Sequence, residues 1–534
     1  MKKLPLGIQN FRKIIEEGYV YADKTRYVYD LMNDASYYFL SRPRRFGKSL
    51  LLDTIAEAFG GDRELFSGLY IYETDYRFEK HPVLRLDMSN IANKTPEVLE
   101  ESLSNTLKNR IKAEGLDIDF GLPSDIFKTL IEALYNKYEK RVVVLIDEYD
   151  KPILDHIENH GQAEEIRKIL KGFYGILKSM DPFLRFTFIT GVSKFTKTSV
   201  FSGLNNLFDI TMNEKYANVC GILKDDLKKY FGENIAKMES LERFKNCGGI
   251  TENLLEWYDG YSWDGETRVI NPYSLLYFFS EEEFSNYWYR SGTPAFLIGM
   301  LKKKPSSFLE LKNVEIGEIM LDAFDFDQIS LAPLLFQTGY LTVEKKIRRG
   351  LSKSYSLTMP NLEVREAFYL NIVSDFTEKG GVFTESAYWN TKKALENGDL
   401  EAMLKIMKGL FASIPYQLHV DNEAYYHSIF YAFMSLLGFD MDLEVSVSKG
   451  RIDAVLELAD KIYIMEFKYV KYEDGASPES KQKLFAEALK KGMKQIENKG
   501  YSDKYAGNGK KIYRSVFAFL GRDEIEMAYT AMIP

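Results

Sequence analysis

The chain has 534 residues, more than one hydrophobic core can organise, because cores stop growing at about 250–300 residues. Apolar residues make up 45% and charged residues 28%, which excludes a disordered chain and predicts two or three globular domains. The net charge of −8 excludes a surface coated in nucleic acid but leaves room for a local basic groove.

In chain order, Tyr37 to Leu40 is a short apolar run that reads as a buried strand. It enters Ser41-Arg42-Pro43-Arg44-Arg45-Phe46-Gly47-Lys48-Ser49, and a helical pattern follows from Leu50 to Phe59, stopped by Gly60-Gly61. Val83 to Met88 predicts a strand, 96–114 and 124–139 helices, Val142 to Ile146 a strand ending in Asp147-Glu148, 161–179 a helix, and Phe183 to Thr190 another strand. Strands alternating with helices imply a parallel sheet covered on both faces. From about 215 helices dominate, with short strand signals at Gly339–Val343 and Tyr355–Thr358, so the middle of the chain predicts a helical region with a winged-helix-like end. Further on, a helix is predicted from Glu423 to Leu437, strands at Leu443–Val447, Arg451–Leu458 and Ile462–Tyr469, a Lys-rich helix over about 480–498 and a strand at Ile512–Leu520. The expected domains are 1–215, 216–380 and 381–534.

A nucleoside triphosphate needs backbone N–H donors at a helix N-terminus, a lysine for the β- and γ-phosphates and a hydroxyl for Mg²⁺. Gly47, Lys48 and Ser49 supply those positions between a strand and a helix. The departure is Arg42, where the usual loop has its first glycine; Arg42, Arg44 and Arg45 could bind phosphate or pair with acids of a neighbouring element. The nucleotide-binding set expected here is Arg44, Arg45, Phe46, Gly47, Lys48, Ser49, Leu50, Asp147 and Thr190, with ATP and Mg²⁺ as cofactors. A buried strand ending in Asp-Glu places Asp147, with Ser49, on the Mg²⁺ shell and Glu148 beside the attacking water. Thr190 and Ser193, at the end of the next strand, are candidates for a place near the γ-phosphate, or an ordinary strand-end turn.

The segments Arg42–Leu52, Leu145–Pro152, Ile189–Phe195, Phe201–Leu207 and Asp259-Gly260-Tyr261 resemble the bacterial AAA-ATPase-like family. The resemblance implies a P-loop ATPase domain followed by a PD-(D/E)XK nuclease-like, restriction-endonuclease-like α/β domain, and makes Arg42 a family habit.

The C-terminal signal is Gly450-Arg451-Ile452-Asp453 followed by Ile464-Met465-Glu466-Phe467-Lys468. Strand alternation puts Glu466 and Lys468 on one face, and a turn around Asp460-Lys461 would pair the strands and bring Asp453 beside Glu466. Two carboxylates and a lysine can bind Mg²⁺ and orient a water for attack on a phosphodiester; Lys468 would position that water or offset developing charge. Both faces of this strand are apolar, which marks it as central and makes its charges costly unless paired or metal-bound. Glu423 shares a helical face with Phe430 and Met434; it is either a helix carboxylate near the metal or a first-turn acid favoured by the helix dipole. The resemblance implies that Gln495 approaches the site; otherwise it is a buried amide bonded to backbone. Tyr501 is a phosphate contact or aromatic packing.

From Lys468 to Arg514 twelve Lys/Arg face six Asp/Glu, a local excess that suits a phosphate backbone or a solvated lysine helix. The reading is therefore an ATPase coupled to a Mg²⁺-dependent nuclease acting on DNA. The alternatives are a nucleotide-dependent switch or scaffold that binds nucleic acid or protein without cutting, and an ATPase acting on protein partners. Two cysteines, Cys220 and Cys247, argue against a disulfide framework and for the cytoplasm. With five histidines there is no zinc-ligand spacing. MKKLPLGIQNF lacks the apolar region of a signal peptide, and no stretch nears the ~20 apolar residues of a membrane span, so no membrane partner is expected. A homo-oligomer is compatible with the sequence.

Overall fold

The computed structural model describes residues 1–118, 121–194, 200–201, 204, 206–245, 247–290, 314–321, 331–350, 352–377, 381–411, 426, 429–431, 433–434, 441–447, 450–471, 477–505, 507, 509–520 and 524–532. They fall into two compact units, one of Met1–Gly292 with Asn313–Glu363 and one that includes Val364–Pro534.

The first unit is built on five parallel strands: β1 (Tyr37–Ser41), β2 (Val83–Asp87), β3 (Val142–Asp147), β4 (Leu184–Gly191) and β5 (Phe208–Asp209), in the order β2-β3-β4-β1-β5. All of β1 and the first five residues of β3 are buried, as expected of strands covered on both faces, and this is why they read as unbroken apolar runs. Parallel neighbours need long crossovers, here the helices Lys48–Gly60, Pro96–Ala113, Pro123–Tyr138 and His160–Gly175. Pro96–Ala113 shows how the sequence specifies them. Thr95 accepts the Val98 N–H as N-cap, Pro96 opens the first turn, and Leu99, Leu103, Leu107 and Ile111 form a buried stripe.

The helices Lys224–Ser240, Ile250–Tyr258 and Pro272–Glu281 follow, around an aromatic core of Phe231, Tyr258, Phe278 and Phe279. A three-stranded antiparallel sheet is made of β6 (Val314–Gly317), which precedes the helix Leu331–Thr338, and β7 (Thr342–Arg349) and β8 (Ser352–Thr358), which follow it, in the order β6-β8-β7. This is the helix-and-wing arrangement expected from the sequence.

The second unit is a mixed sheet of β9 (Met441–Val447), β10 (Gly450–Glu457), β11 (Lys461–Val470), β12 (Lys511–Leu520) and β13 (Glu524–Met532), in the order β13-β12-β11-β10-β9. β9, β10 and β11 form an antiparallel meander, β12 pairs parallel to β11 after the helix Pro478–Asn498, and β13 returns antiparallel. The central strand β11 is covered on both sides. Ile462 and Ile464 pack with Ile496 of that helix, while Phe467 meets Phe430 at 5.0 Å between ring centroids on the other side.

Candidate phosphate-binding and carboxylate sites

After Ser41 the chain turns through Arg42–Gly47 and enters a helix at Lys48. Gly47 has φ 94° and no side chain caps this helix, so its first N–H groups are left for an anion. Lys48 is buried, and its Nζ donates to the carbonyls of Arg42 (2.9 Å) and Pro43 (3.0 Å). Ser49 and Leu50 are half-buried in the first turn.

Arg42 forms no ion pair with an acid among the described residues. It is fully buried, donates to the carbonyls of Ser41 (2.8 Å), Thr211 (2.8 Å) and Tyr216 (3.3 Å), and stacks 3.9 Å from the centroid of the Trp263 ring. Burial draws its pKa down to about 10, which leaves it cationic at neutral pH. It stands in for the missing glycine as a support of the loop, a role that appears only once Trp263 and Tyr216 are in place.

The loop is held elsewhere too. Phe46 is buried edge-on to Tyr261 (4.7 Å) and Trp263 (5.5 Å), and the Trp288 indole N–H donates to the Arg44 carbonyl (3.0 Å). Arg45 is exposed, with φ 67° and its guanidinium 5.1 Å from the Tyr273 ring.

β4 lies between β1 and β3, with Ser41 opposite Gly191 and Ile146 opposite Ile189. Thr190 therefore stands beside Asp147 and donates its hydroxyl to Asp147 Oδ1 (2.5 Å), an oxygen that also accepts the Glu148 N–H (3.0 Å). Glu148 adopts a left-handed backbone, φ 50°, uncommon for a residue with a side chain. Burial pushes its carboxyl pKa up, with Asp147 and Asp150 adding to the rise, while Lys48 and Arg44 pull it down; it lies within the field of the loop's cations. Ser193, the other γ-phosphate candidate, gives its hydroxyl to Asp150 (2.6 Å) instead. Asp150 is a buried carboxylate to which the sequence reading assigns no role.

Beside the loop is an apolar recess lined by Val20, Tyr21, Phe46, Leu50, Cys220 and Leu276 among others, with Lys24 on its wall. It too escapes sequence reading, because its walls come from four distant stretches of chain.

In the second unit, Ala454 pairs with Met465 across β10 and β11, and the Phe467 N–H donates to the Asp453 carboxylate (2.8 Å). Asp453 thus stands next to Glu466. Glu466 is 1% exposed; its Oε1 accepts from Lys468 Nζ (2.6 Å) and from the Gln495 amide. Gln495 also reaches the Tyr501 hydroxyl (3.3 Å), which donates to the Arg451 carbonyl (2.5 Å). Tyr501 is therefore a buried support, and Gln495 meets a carboxylate rather than backbone. The helix carrying Gln495 comes close because Gly492 faces Val516, where a Cβ would stand 2.5 Å from Cγ1. Asp453, Glu466, Lys468 and Gln495 form one cluster; Glu423 lies outside the described residues.

Among the described residues no group of three or more His, Cys, Asp or Glu forms a metal cage. A pair of carboxylates nevertheless fits Mg²⁺, which is commonly held by one or two carboxylates together with water and substrate phosphate. Likewise, no helix among the described residues is long and apolar enough to cross a membrane.

A family model described as "Predicted AAA-ATPase" matches residues 5–201, and one described as "PD-(D/E)XK nuclease superfamily" matches residues 421–527. The chain is 36% identical over 522 residues to an "Uncharacterized protein in vnfD 5'region" from Azotobacter chroococcum mcd 1, covering 96% of this chain and 95% of the relative. Among solved structures it is similar to the Aeropyrum pernix ORC2 protein (ADPNP-ADP complexes), at 12% identity and a TM-score of 0.28 over 81% of this chain and 91% of that one. With both family models in order along the chain and a near full-length bacterial relative, the chain belongs to the bacterial family that joins an N-terminal AAA-ATPase-like domain to a C-terminal PD-(D/E)XK nuclease-like domain.

Proposed function

We propose that the protein binds and hydrolyses ATP in its first unit and is coupled to a Mg²⁺-dependent nuclease that cuts DNA in its second. The observation that carries the nuclease reading is the convergence of Lys468 and Gln495 on Glu466, with Asp453 bonded to the residue beside it. In the first unit, Lys48 would exchange its loop carbonyls for the β- and γ-phosphates, and the helix N–H groups would take the remaining phosphate oxygens. Asp147 and Ser49 would hold the Mg²⁺ of the nucleotide, Glu148 would orient the attacking water, and the apolar recess would receive the base.

In the second unit Asp453 and Glu466 would hold Mg²⁺, which supplies positive charge to the phosphodiester oxygens when bound. Lys468 orients the attacking water and offsets charge on the phosphate, while Gln495 keeps Glu466 in place. Lys483, Lys490, Lys491, Lys494 and Lys499 are exposed on the Gln495 helix and just after it, a distribution suited to a DNA backbone.

Plasmid, linear duplex and single-stranded DNA incubated with Mg²⁺, with and without ATP, beside Asp453→Ala, tests the reading. Cleavage by the wild type that is lost in the variant is expected. Equal cleavage by both would assign the activity to a contaminant, and wild-type binding without cleavage would favour the switch or scaffold.

A further inference from the structure

The nucleotide centre contains a buried acid with no part in the chemistry described above. Asp150 is 1% exposed. Its carboxylate accepts the Val192 N–H (3.1 Å), the Ser193 N–H (2.6 Å) and the Ser193 hydroxyl (2.6 Å). A carboxylate is tolerated in such a place only when hydrogen-bonded, and here every named donor belongs to the turn that follows β4. The neighbouring residue stitches the same two segments together: the Tyr149 N–H donates to the Thr190 carbonyl (3.0 Å) and the Tyr149 hydroxyl to the Ser193 carbonyl (3.1 Å). Gly191 permits this approach, since a Cβ there would lie 2.6 Å from both Asp150 Oδ1 and the Tyr149 ring.

The clamped turn supports both halves of the nucleotide centre. Thr190, at its start, holds Asp147. On the other side, Arg42 N–H donates to the Gly191 carbonyl (3.2 Å) and the Ser41 hydroxyl to the Val192 carbonyl, so the root of the phosphate loop hangs from the same residues. We propose that Asp150 is a positioning residue of the nucleotide centre. By clamping the Gly191–Ser193 turn it fixes Thr190 against Asp147 and aligns that acid with the mouth of the phosphate loop. This rests on the ATPase reading of the site. Partners that orient a metal-binding carboxylate typically matter about 10- to 100-fold in metal affinity or activity.

The test uses the full-length chain and three variants, Asp150→Asn, Ser193→Ala and Thr190→Val. ATP affinity is measured by equilibrium titration with and without Mg²⁺, alongside turnover and melting temperature. For Asp150→Asn the expected result is an about 10- to 100-fold loss of turnover and an about tenfold loss of the Mg²⁺-dependent gain in ATP affinity. Affinity without Mg²⁺ should stay within about threefold, less than the effect of one hydrogen bond to a charged group. Ser193→Ala, which removes one of three donors, should show the same pattern more weakly, and adding Thr190→Val to Asp150→Asn should cost little more, as for residues acting as a unit. Wild-type turnover and Mg²⁺ linkage in Asp150→Asn would overturn the proposal. If that variant does not fold, Ser193→Ala decides, and wild-type values there overturn it as well. A purely structural role would lower the melting temperature and leave the Mg²⁺ linkage intact, which also overturns it. A wild-type chain that binds no ATP overturns the underlying ATPase reading, and does so before any variant is compared.

Discussion

Lys48 and Glu363 show how single side chains expose the design to measurement. Lys48 donates its ammonium to two carbonyls of its own loop, but the loop is also held by Arg42, Phe46 and the Trp288 indole, so its removal should leave the loop standing while taking away the charge intended for the phosphates. Lys48→Ala should weaken ATP binding by about 1.5–3 kcal/mol, or roughly 10- to 100-fold, read by equilibrium titration; unchanged affinity would contradict the assignment. Glu363 is buried, and its carboxylate accepts from the Trp288 N–H (2.7 Å) and the Ser274 hydroxyl (2.7 Å). Burial pushes its pKa up to about 8 despite these bonds. The folded state thus holds a proton that the unfolded chain releases near an ordinary carboxyl pKa. The resulting stability is fully present below about 4.3 and is lost as pH rises through about 8, at up to about 1.4 kcal/mol per pH unit. Glu363→Gln, which mimics the protonated acid, should flatten the fall in melting temperature across that window; parallel profiles would contradict it. Residue-scale legibility followed range. Asp453 and Glu466 are legible because a short turn and strand alternation suffice to pair them. Arg42 and Asp150 are not, because their roles depend on Trp263, Tyr216 and Ser193, far away in sequence.

At the scale of elements, the helix Pro478–Asn498 comes close to β12 at Gly492. Gly492→Ala would add a Cβ against Val516. The overpacking costs about 1–3 kcal/mol, partly offset by the roughly 1 kcal/mol that alanine gains over glycine in a helix. The variant should lose a modest amount of stability but move Gln495 away from Glu466, so nuclease activity should fall further than the melting temperature implies. Activity and stability falling in step would mean that the close approach serves packing alone. Strongly patterned elements are legible in the sequence. The strand predicted at Val142–Ile146 is observed as Val142–Asp147, and that at Ile512–Leu520 as Lys511–Leu520. β13 was not legible: it is an edge strand with several exposed residues, so it lacks the apolar run that marks its neighbours. β5 has only two residues, Phe208–Asp209, and is defined by its pairing with β1 rather than by any local pattern.

For the whole molecule, the central claim is that two sites handling phosphates occupy separate compact units of one polypeptide. The order of the two parts was legible because each carries its own motif between recognisable elements. The apolar recess was not, since it exists only where Val20, Phe46, Cys220 and Leu276 meet. The basic stretch around the Gln495 helix contrasts with a chain of net charge −8, so DNA affinity should fall steeply with salt. Replacing Lys490, Lys491 and Lys494 together should reduce the salt slope of binding by about two to three, measured by titration with labelled duplex; an unchanged slope would place the DNA elsewhere. The most direct test of the claim is one paired assay of ATP turnover and Mg²⁺-dependent DNA cleavage on the wild type, Lys48→Ala and Glu466→Gln. Lys48→Ala should lose turnover, and Glu466→Gln should lose cleavage while keeping turnover. Wild-type cleavage by Glu466→Gln, or turnover surviving in Lys48→Ala, would contradict the account.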